Sequence, residues 1–385
     1  MKTIQSSSSQ SSFPHRFWRS FLGTIKAVFT DMGVLLIMVL APLIYGAYYP
    51  WAYSNQIVRH IPIAIVDHDH STLSRQIIRF VDAVPSVEIQ VLPSEREARQ
   101  ALLTNEIMAF MVIPANLQQH LSQGQENVVN MVGNGSYILA SKYAQQGIAE
   151  AVGTVSAGIE LKQLAASGIG REMANAIRDP VPLKINPLHN PNEGYGSYVV
   201  PAVAWLILQQ TLLIGCAMLI GTWIERGSAH VSMRIWFARI VALSLIHWFI
   251  CLGYTGWLFT LWRYSHGGNP LGNLLLIGIF SPCVAILGCL IGLVVADRER
   301  AMQVLIFSSL PIYFVSGFSW PVQQLPPILQ GIRWLFPSTS AINAGVNFNQ
   351  LNAPIRDNIQ YLLVLAIITM IGFLLVCWRG RPSKQ

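Results

Sequence analysis

Charge is scarce in this 385-residue chain. Only 11% of its residues are charged, 52% are hydrophobic, and the mean hydropathy is +0.45. A soluble domain carries about 25% charged residues. The composition therefore excludes a soluble enzyme of two or three domains, and the long apolar runs point to a membrane protein. Short catalytic patterns are also missing. No Gly-Lys pair occurs, so there is no GxxxxGK[ST] phosphate loop, and HExxH, GxSxG and GxGxxG are absent. The chain has no P-loop of its own with which to bind and hydrolyse ATP. Cysteine is sparse as well. Cys216, Cys251, Cys283, Cys289 and Cys377 all lie in apolar runs, with no CxxC and none between residues 54 and 197. They read as small buried hydrophobes and form neither a disulfide framework nor a metal set.

The charge that is present is unevenly placed. Of 18 acidic residues, 13 fall between Ser54 and Ser197, together with 10 of the 25 Lys and Arg. That segment has a net charge of −3 and the remainder +10. The basic balance belongs to membrane flanks, and no nucleic-acid partner is expected.

Residues 1–12 are polar, Ser-rich and expected to be disordered. From Phe13 to Thr30, apolar residues recur at helical spacing. Arg16, Phe17, Trp18, Arg19 and Phe21 begin a basic amphipathic helix of the kind that lies on a membrane surface and contacts lipid. A packed helix is the plainer alternative. A first span is expected at 33–53, read as an uncleaved signal anchor with tyrosines and Trp51 at its far end. Residues 54–197 alternate strand and helix patterns. Strands are expected at Ile61–Val66, Val87–Leu92, Ile107–Ile113, Asn127–Val132 and Val181–Ile185, with a long helix over Tyr137–Ala166. Five more spans are placed near 198–224, 235–262, 272–295, 304–322 and 359–378. A proline-rich, still apolar stretch near 321–354 reads as a re-entrant or interfacial segment, with Ile328 to Phe336 as its apolar face. The expected fold is an α-helical membrane protein with six transmembrane helices and an α/β extracytoplasmic domain inserted between helices 1 and 2. With both termini inside, 12 basic residues flank the spans on the inner side against Arg263, Arg333 and Arg356 outside. The positive-inside rule thus makes residues 1–32 and 379–385 cytosolic and 54–197 extracytoplasmic.

Few motifs carry chemistry. Asp67-His68-Asp69-His70 offers four ligand types in a row, but it ends a strand before Ser71 and a helix. It reads as a turn with helix caps in preference to a metal site. Asn134-Gly135-Ser136 matches a glycosylation sequon and also makes a tight turn. His247, Gln209 and Gln210 are the polar side chains deep in spans, and each reads as helix–helix glue. Gly288 and Gly292 form a GxxxG pattern. On the inner side, Glu225-Arg226-Gly227-Ser228 with Arg234, and Asp297 to Arg300, are short charged turns. They read either as docking contacts for another protein or as topology-setting flanks.

Several of these pieces together resemble one family. They are Ile65 to Ser71 as a strand ending in V-D-x-D-x-S, Asn186-Pro187 with Tyr195 and Tyr198, Glu225-Arg226-Gly227-Ser228, and Ser316-Gly317-Phe318. Pro321, Leu325-Pro326 and Trp334-Leu335-Phe336-Pro337 complete the set. The chain resembles ABC-2 type transporter permeases, in the bacterial drug-export branch with a large periplasmic insertion. It departs from the pattern at Ser228, where threonine is usual, and at Ala229 to Ser232. The resemblance implies a permease subunit, not an enzyme, that exports amphiphilic or hydrophobic substrates such as drugs across the bacterial inner membrane. It implies pairing with a second permease copy or paralogue. A cytosolic ABC ATPase would carry ATP and Mg, with no cofactor on this chain. It leaves room for a periplasmic adaptor and an outer-membrane channel. It assigns Glu225, Arg226, Gly227, Ser228 and Arg234 to an ATPase-coupling loop, and Ser316, Gly317, Pro321, Pro326 and Pro337 to a membrane hairpin. The competing reading is a membrane-anchored receptor or interaction protein without transport activity.

Overall fold

The computed structural model describes residues 13–184, 188–190 and 193–382. The Ser-rich start, Ile185 and the Asn186-Pro187 pair lie outside the described residues. Two compact units divide the chain. One is Ile57–Asn186, and the other joins the segments on either side of it.

The second unit begins with α1 (Phe13–Thr30) and α2 (Met32–Ala52). Asp31 separates them by capping: its Oδ1 accepts from Gly33 N and Val34 N, both at 3.1 Å. The cap satisfies two amide donors that a helix start leaves open. A π-helical turn over Leu36–Leu40 interrupts α2.

The unit 57–186 contains a four-stranded sheet in the order β2-β1-β3-β4. Its strands are β1 (Ile61–Asp67), β2 (Val87–Val91), β3 (Ala109–Ile113) and β4 (Asn130–Gly133). β1 is parallel to β2 and β3, while β4 returns antiparallel to β3. β1 is buried on both faces, which explains its unbroken apolar run. The helices are α3 (Thr72–Asp82), α4 (Glu95–Leu103), α5 (Leu117–Ser122), α6 (Ile138–Ala166) and α7 (Arg171–Arg178). Ala144, Ile148, Ala151 and Val155 of α6 recur at helical spacing and pack with Ile63, Ile65 and Met111 on one sheet face. Ala98 and Ala101 of α4 cover Ala64, Val66 and Phe110 on the other. The expected strand at Val181–Ile185 is not formed over its described part, Val181–Lys184. The Asp67–His70 segment is a turn. Asp67 Oδ1 accepts from the amides of Asp69 (3.0 Å) and His70 (3.1 Å), and Ser71 Oγ caps α3 at Ser74 N (3.0 Å). Among the described residues no group of three His, Cys, Asp or Glu could hold a metal ion.

The membrane unit continues with α8 (Tyr195–Glu225), α9 (Met233–Leu261), α10 (Pro270–Val295) and α11 (Arg298–Val315). The proline-rich stretch is helical in pieces, α12 (Pro327–Ile332) and α13 (Pro337–Asn349), before α14 (Ile359–Arg379). Five described helices are long and apolar enough to cross a membrane: α2, α8, α9, α10 and Ile355–Arg379. The span expected at 304–322 is instead α11, which starts and ends earlier. Its first turn holds Arg298, Glu299 and Arg300, so it is not among those five. Asp297 to Arg300 is therefore no free turn: Asp297 Oδ1 caps α11 at Arg300 N, 2.8 Å away. In the proline-rich stretch Ile328 and Leu335 are exposed. The packed segment is α13, whose Ser338 to Ile342 are fully buried.

α8 is the core element, with 22 of its 31 residues buried. Its polar side chains bind neighbouring helices. Gln209 Oε1 accepts from Ser338 N (2.5 Å), Gln210 Nε2 donates to Leu305 O (3.2 Å), and Leu208 O is 3.1 Å from His247 Nε2. His247 Nδ1 lies 2.9 Å from Ser281 Oγ. These are the glue roles expected of such residues. Gly288 and Gly292 of α10 seat on α8. A Cβ at Gly292 would stand 2.7 Å from Ile220 Cβ and 2.9 Å from Ala217 O. Gly292→Val should therefore overpack this contact and cost about 1–3 kcal/mol. Thermal unfolding in detergent should show a clear drop in Tm. Gly278→Ala, whose Cβ would meet nothing within 4 Å, should not lower Tm, because alanine is the better helix former.

Candidate coupling surface

The loop after α8 is closed by its own backbone. Gly227 adopts φ 64°, a conformation that costs glycine nothing. Its amide donates to Ile224 O (2.9 Å), and the Ser228 amide donates to Trp223 O (2.8 Å). These bonds satisfy carbonyls that a helix end leaves open. Glu225, Arg226, Gly227 and Ser228 are exposed, as is Arg234 in the first turn of α9. One of the 12 inner-side basic residues, Arg239, holds the loop from below. Arg239 is buried, and its guanidinium donates to Ser228 O (2.8 Å) and Ala229 O (3.2 Å). It also lies 4.0 Å from the ring centre of Trp223.

Beside this loop is an ion pair. Arg298 of α11 grips Asp31 with both terminal nitrogens, Nη1 to Oδ2 at 2.5 Å and Nη2 to Oδ1 at 2.7 Å. Nη1 also donates to Thr222 Oγ1 (2.7 Å), one turn before Glu225. One guanidinium thus ties the start of α2, the end of α8 and the start of α11. Such two-pronged pairing is the strong form of the interaction. The Arg298 hydrogen bonds hold the Asp31 carboxyl well below its usual range, at about 2, against the partial burial that opposes this. Composition hides this pair. Its one sequence signal is that Asp31 is the only acid before residue 54, set at a helix-cap position.

α1 is a packed helix with an open apolar face. Phe21 is buried with Ala238 and Ala242 of α9, and Phe17 stands 6.2 Å from the Phe237 ring. Trp18, Leu22, Arg16 and Arg19 are exposed. The packing reading thus holds for the Phe17 and Phe21 side of the helix.

The hairpin residues gather elsewhere. Ser316 is buried and donates to Tyr313 O (2.6 Å), Gly317 has φ 83°, and Pro337 opens the buried α13. Pro321 and Pro326 are exposed. Tyr198, in the first turn of α8, stacks on Phe318 at 4.6 Å and donates its hydroxyl to Phe318 O (2.7 Å). Tyr198 and Glu225 lie near opposite ends of α8, about 40 Å apart at 1.5 Å per residue. The structure therefore does not bring the loop and hairpin residues into one site.

These features define a multi-pass membrane protein. From residue 32 to 378 the chain matches the family described as ABC-2 family transporter protein, and it belongs to that family. It is 21% identical over 338 residues to the probable multidrug ABC transporter permease YbhR of Escherichia coli strain K12, covering 84% of this chain and 86% of that one. It is 25% identical over 375 residues to the linearmycin resistance permease protein LnrN of Bacillus subtilis strain 168, covering 91% and 95%.

The ion pair has a pH signature. The folded pKa of Asp31 is depressed from 3.8 to about 2. Its stabilisation is present above pH 4 and is lost as pH falls through 2. Asp31→Asn should cost about 1 kcal/mol at neutral pH, since solvent screens a partly exposed pair. Tm measured from pH 7 down to pH 2 should converge for the two proteins at the acid end.

Proposed function

We propose that this chain is the permease subunit of an ATP-driven exporter that moves amphiphilic or hydrophobic compounds, drugs among them, out across the bacterial inner membrane. The observation that carries the reading is the family match over residues 32–378. The names of the two relatives, multidrug permease and linearmycin resistance permease, support the substrate class. A separate cytosolic ATPase supplies the energy, since this sequence has no P-loop. Two permeases pair around the path. In this reading α11 is the fifth of six spans. The termini and the loop 225–234 are cytosolic, and the α/β unit is extracytoplasmic. The inner-side excess of Lys and Arg supports that orientation.

The contacts support one coupling mechanism. The ATPase seats on the exposed Glu225, Arg226 and Ser228 loop and on α1. Arg239 keeps the loop fixed to the helices beneath it. A push on the loop then moves the end of α8, and the Arg298 tie carries the start of α2 and α11 with it. Packed interiors transmit such displacements with little give. α8 delivers the motion to Tyr198 and Phe318 at its other end, where the path opens.

Truncating a charged contact buried at an interface costs about 2–5 kcal/mol, and a rim charge costs little. Glu225→Ala with Arg226→Ala should leave folding and membrane insertion intact, weaken ATPase association and abolish substrate-stimulated ATP hydrolysis by the reconstituted complex. Wild-type stimulation in the double variant would remove these residues from the coupling surface. If no ATPase binds even the wild-type chain, the receptor reading replaces the transporter.

A further inference from the structure

Helices α9, α10 and Ile355–Arg379 enclose an apolar groove of about 750 Å³. That volume falls within the range of about 300–1,000 Å³ common to ligand pockets. Phe237 and Val241 line it from α9, Gly278 and Pro282 from α10, and Met370 and Phe373 from α14. All three walls belong to helices long and apolar enough to span a membrane, so the groove lies at the depth of the hydrocarbon. It is open to the side, with Phe237 51% and Met370 62% exposed. Gly278 leaves a gap in the wall: a Cβ there would meet nothing within 4 Å.

Positive charge collects at one end. The rings of Phe237 and Phe373 meet there at 6.4 Å. Just beyond them the end of α14 is bound to the start of α9. Gly380 O accepts from Trp236 Nε1 (3.2 Å) and from the Val231 amide (2.9 Å). Arg379 and Arg381 flank that glycine, and both are exposed. Arg234, also exposed, precedes Phe237 by three residues, about 4.5 Å along the helix. α1 crosses the same end through Phe17, 6.2 Å from Phe237, and adds exposed Arg19. An apolar channel at hydrocarbon depth with arginines at one mouth has the charge and polarity order of one lipid. The chain faces the apolar walls and the phosphate faces the guanidinium groups. Basic pockets between membrane helices recognise anionic headgroups in this way.

We propose that this groove holds one anionic phospholipid, its acyl chain between α9, α10 and α14 and its phosphate against Arg379, Arg381 and Arg234. The site ties the lipid to the junction of α1, α9 and α14, next to the loop 225–234. The assignment rests on the chain being a multi-pass membrane protein and is independent of transport.

The test is native mass spectrometry of the full chain in detergent, titrated with dioleoyl phosphatidylglycerol or dioleoyl phosphatidylcholine. Wild type should retain one phosphatidylglycerol in preference to phosphatidylcholine. A basic side chain near the headgroup is worth about fivefold in affinity, so Arg379→Gln with Arg381→Gln should weaken phosphatidylglycerol about 30-fold and leave phosphatidylcholine unchanged. Gly278→Phe, and separately Ala366→Phe, should fill the groove and reduce retention of both lipids. Agreement between two monodisperse groove variants separates loss of the site from misfolding. Equal retention of the two lipids by wild type would overturn the proposal. So would undiminished phosphatidylglycerol binding in both groove variants, or a Leu245→Cys disulfide between two copies in native membranes, which would make the groove a subunit interface. None of these readouts uses nucleotide or exported substrate, so failure of the transport reading would leave them unmoved.

Discussion

Helix α8 has to satisfy its polar groups with almost no access to water. Nearly every face of it is buried, and in such surroundings an unpaired polar group is costly. Three of its inward polar groups select a particular neighbour, while Thr211 Oγ1 bonds within α8 and Gln210 Oε1 is left without a partner. Gln209 takes the start of α13, Gln210 takes α11 through Leu305, and Leu208 O takes His247 of α9. Glycines on α10 supply the close seat that α8 needs on another side. On α9, Tyr254 donates its hydroxyl to the carbonyl of Pro42 on α2. Dispersion supplies the attraction between these helices, and the hydrogen bonds fix which helices meet and in what register.

This packing anchors α8 at both ends. At one, a single guanidinium joins Asp31, Thr222 and the first turn of α11, while Arg239 pins the exposed loop from beneath. At the other, Tyr198 reaches the hairpin through a stacked ring and a hydroxyl. Specific polar contacts thus hold α8 at both ends as well as at its middle, where Gln209, Gln210 and Leu208 O bind three neighbouring segments.

Much of this organisation was legible in the amino-acid sequence. The apolar runs announced the spans because a membrane helix has a fixed length to cross. The strand-to-helix turn at Asp67–Ser71 was readable because its bonds are local. The same holds for the long helix over 138–166, whose apolar positions keep one period. The failures also have physical reasons. α11 was set too late because its first turn is charged and its burial comes from neighbours that hydropathy does not record. Val181–Lys184 is apolar enough for a strand but pairs with no edge. α13 reads as irregular in sequence because its serines, threonine and asparagines look like a loop until α8 and α10 cover them. The Asp31–Arg298 pair joins residues far apart in the chain, and no local pattern marks both. Arg239 looked like a topology marker because its role is to bind backbone carbonyls, which any sequence has.

The proposed transport requires that ATP hydrolysis on a partner drive compounds through this chain. Inverted membrane vesicles carrying this chain and a candidate partner ATPase measure this directly. ATP should drive uptake of a fluorescent amphiphile into them. Uptake should vanish when the ATPase nucleotide site is inactivated, and also when this chain is left out. Uptake that persists without this chain, or that needs a proton gradient in place of ATP, would contradict the account.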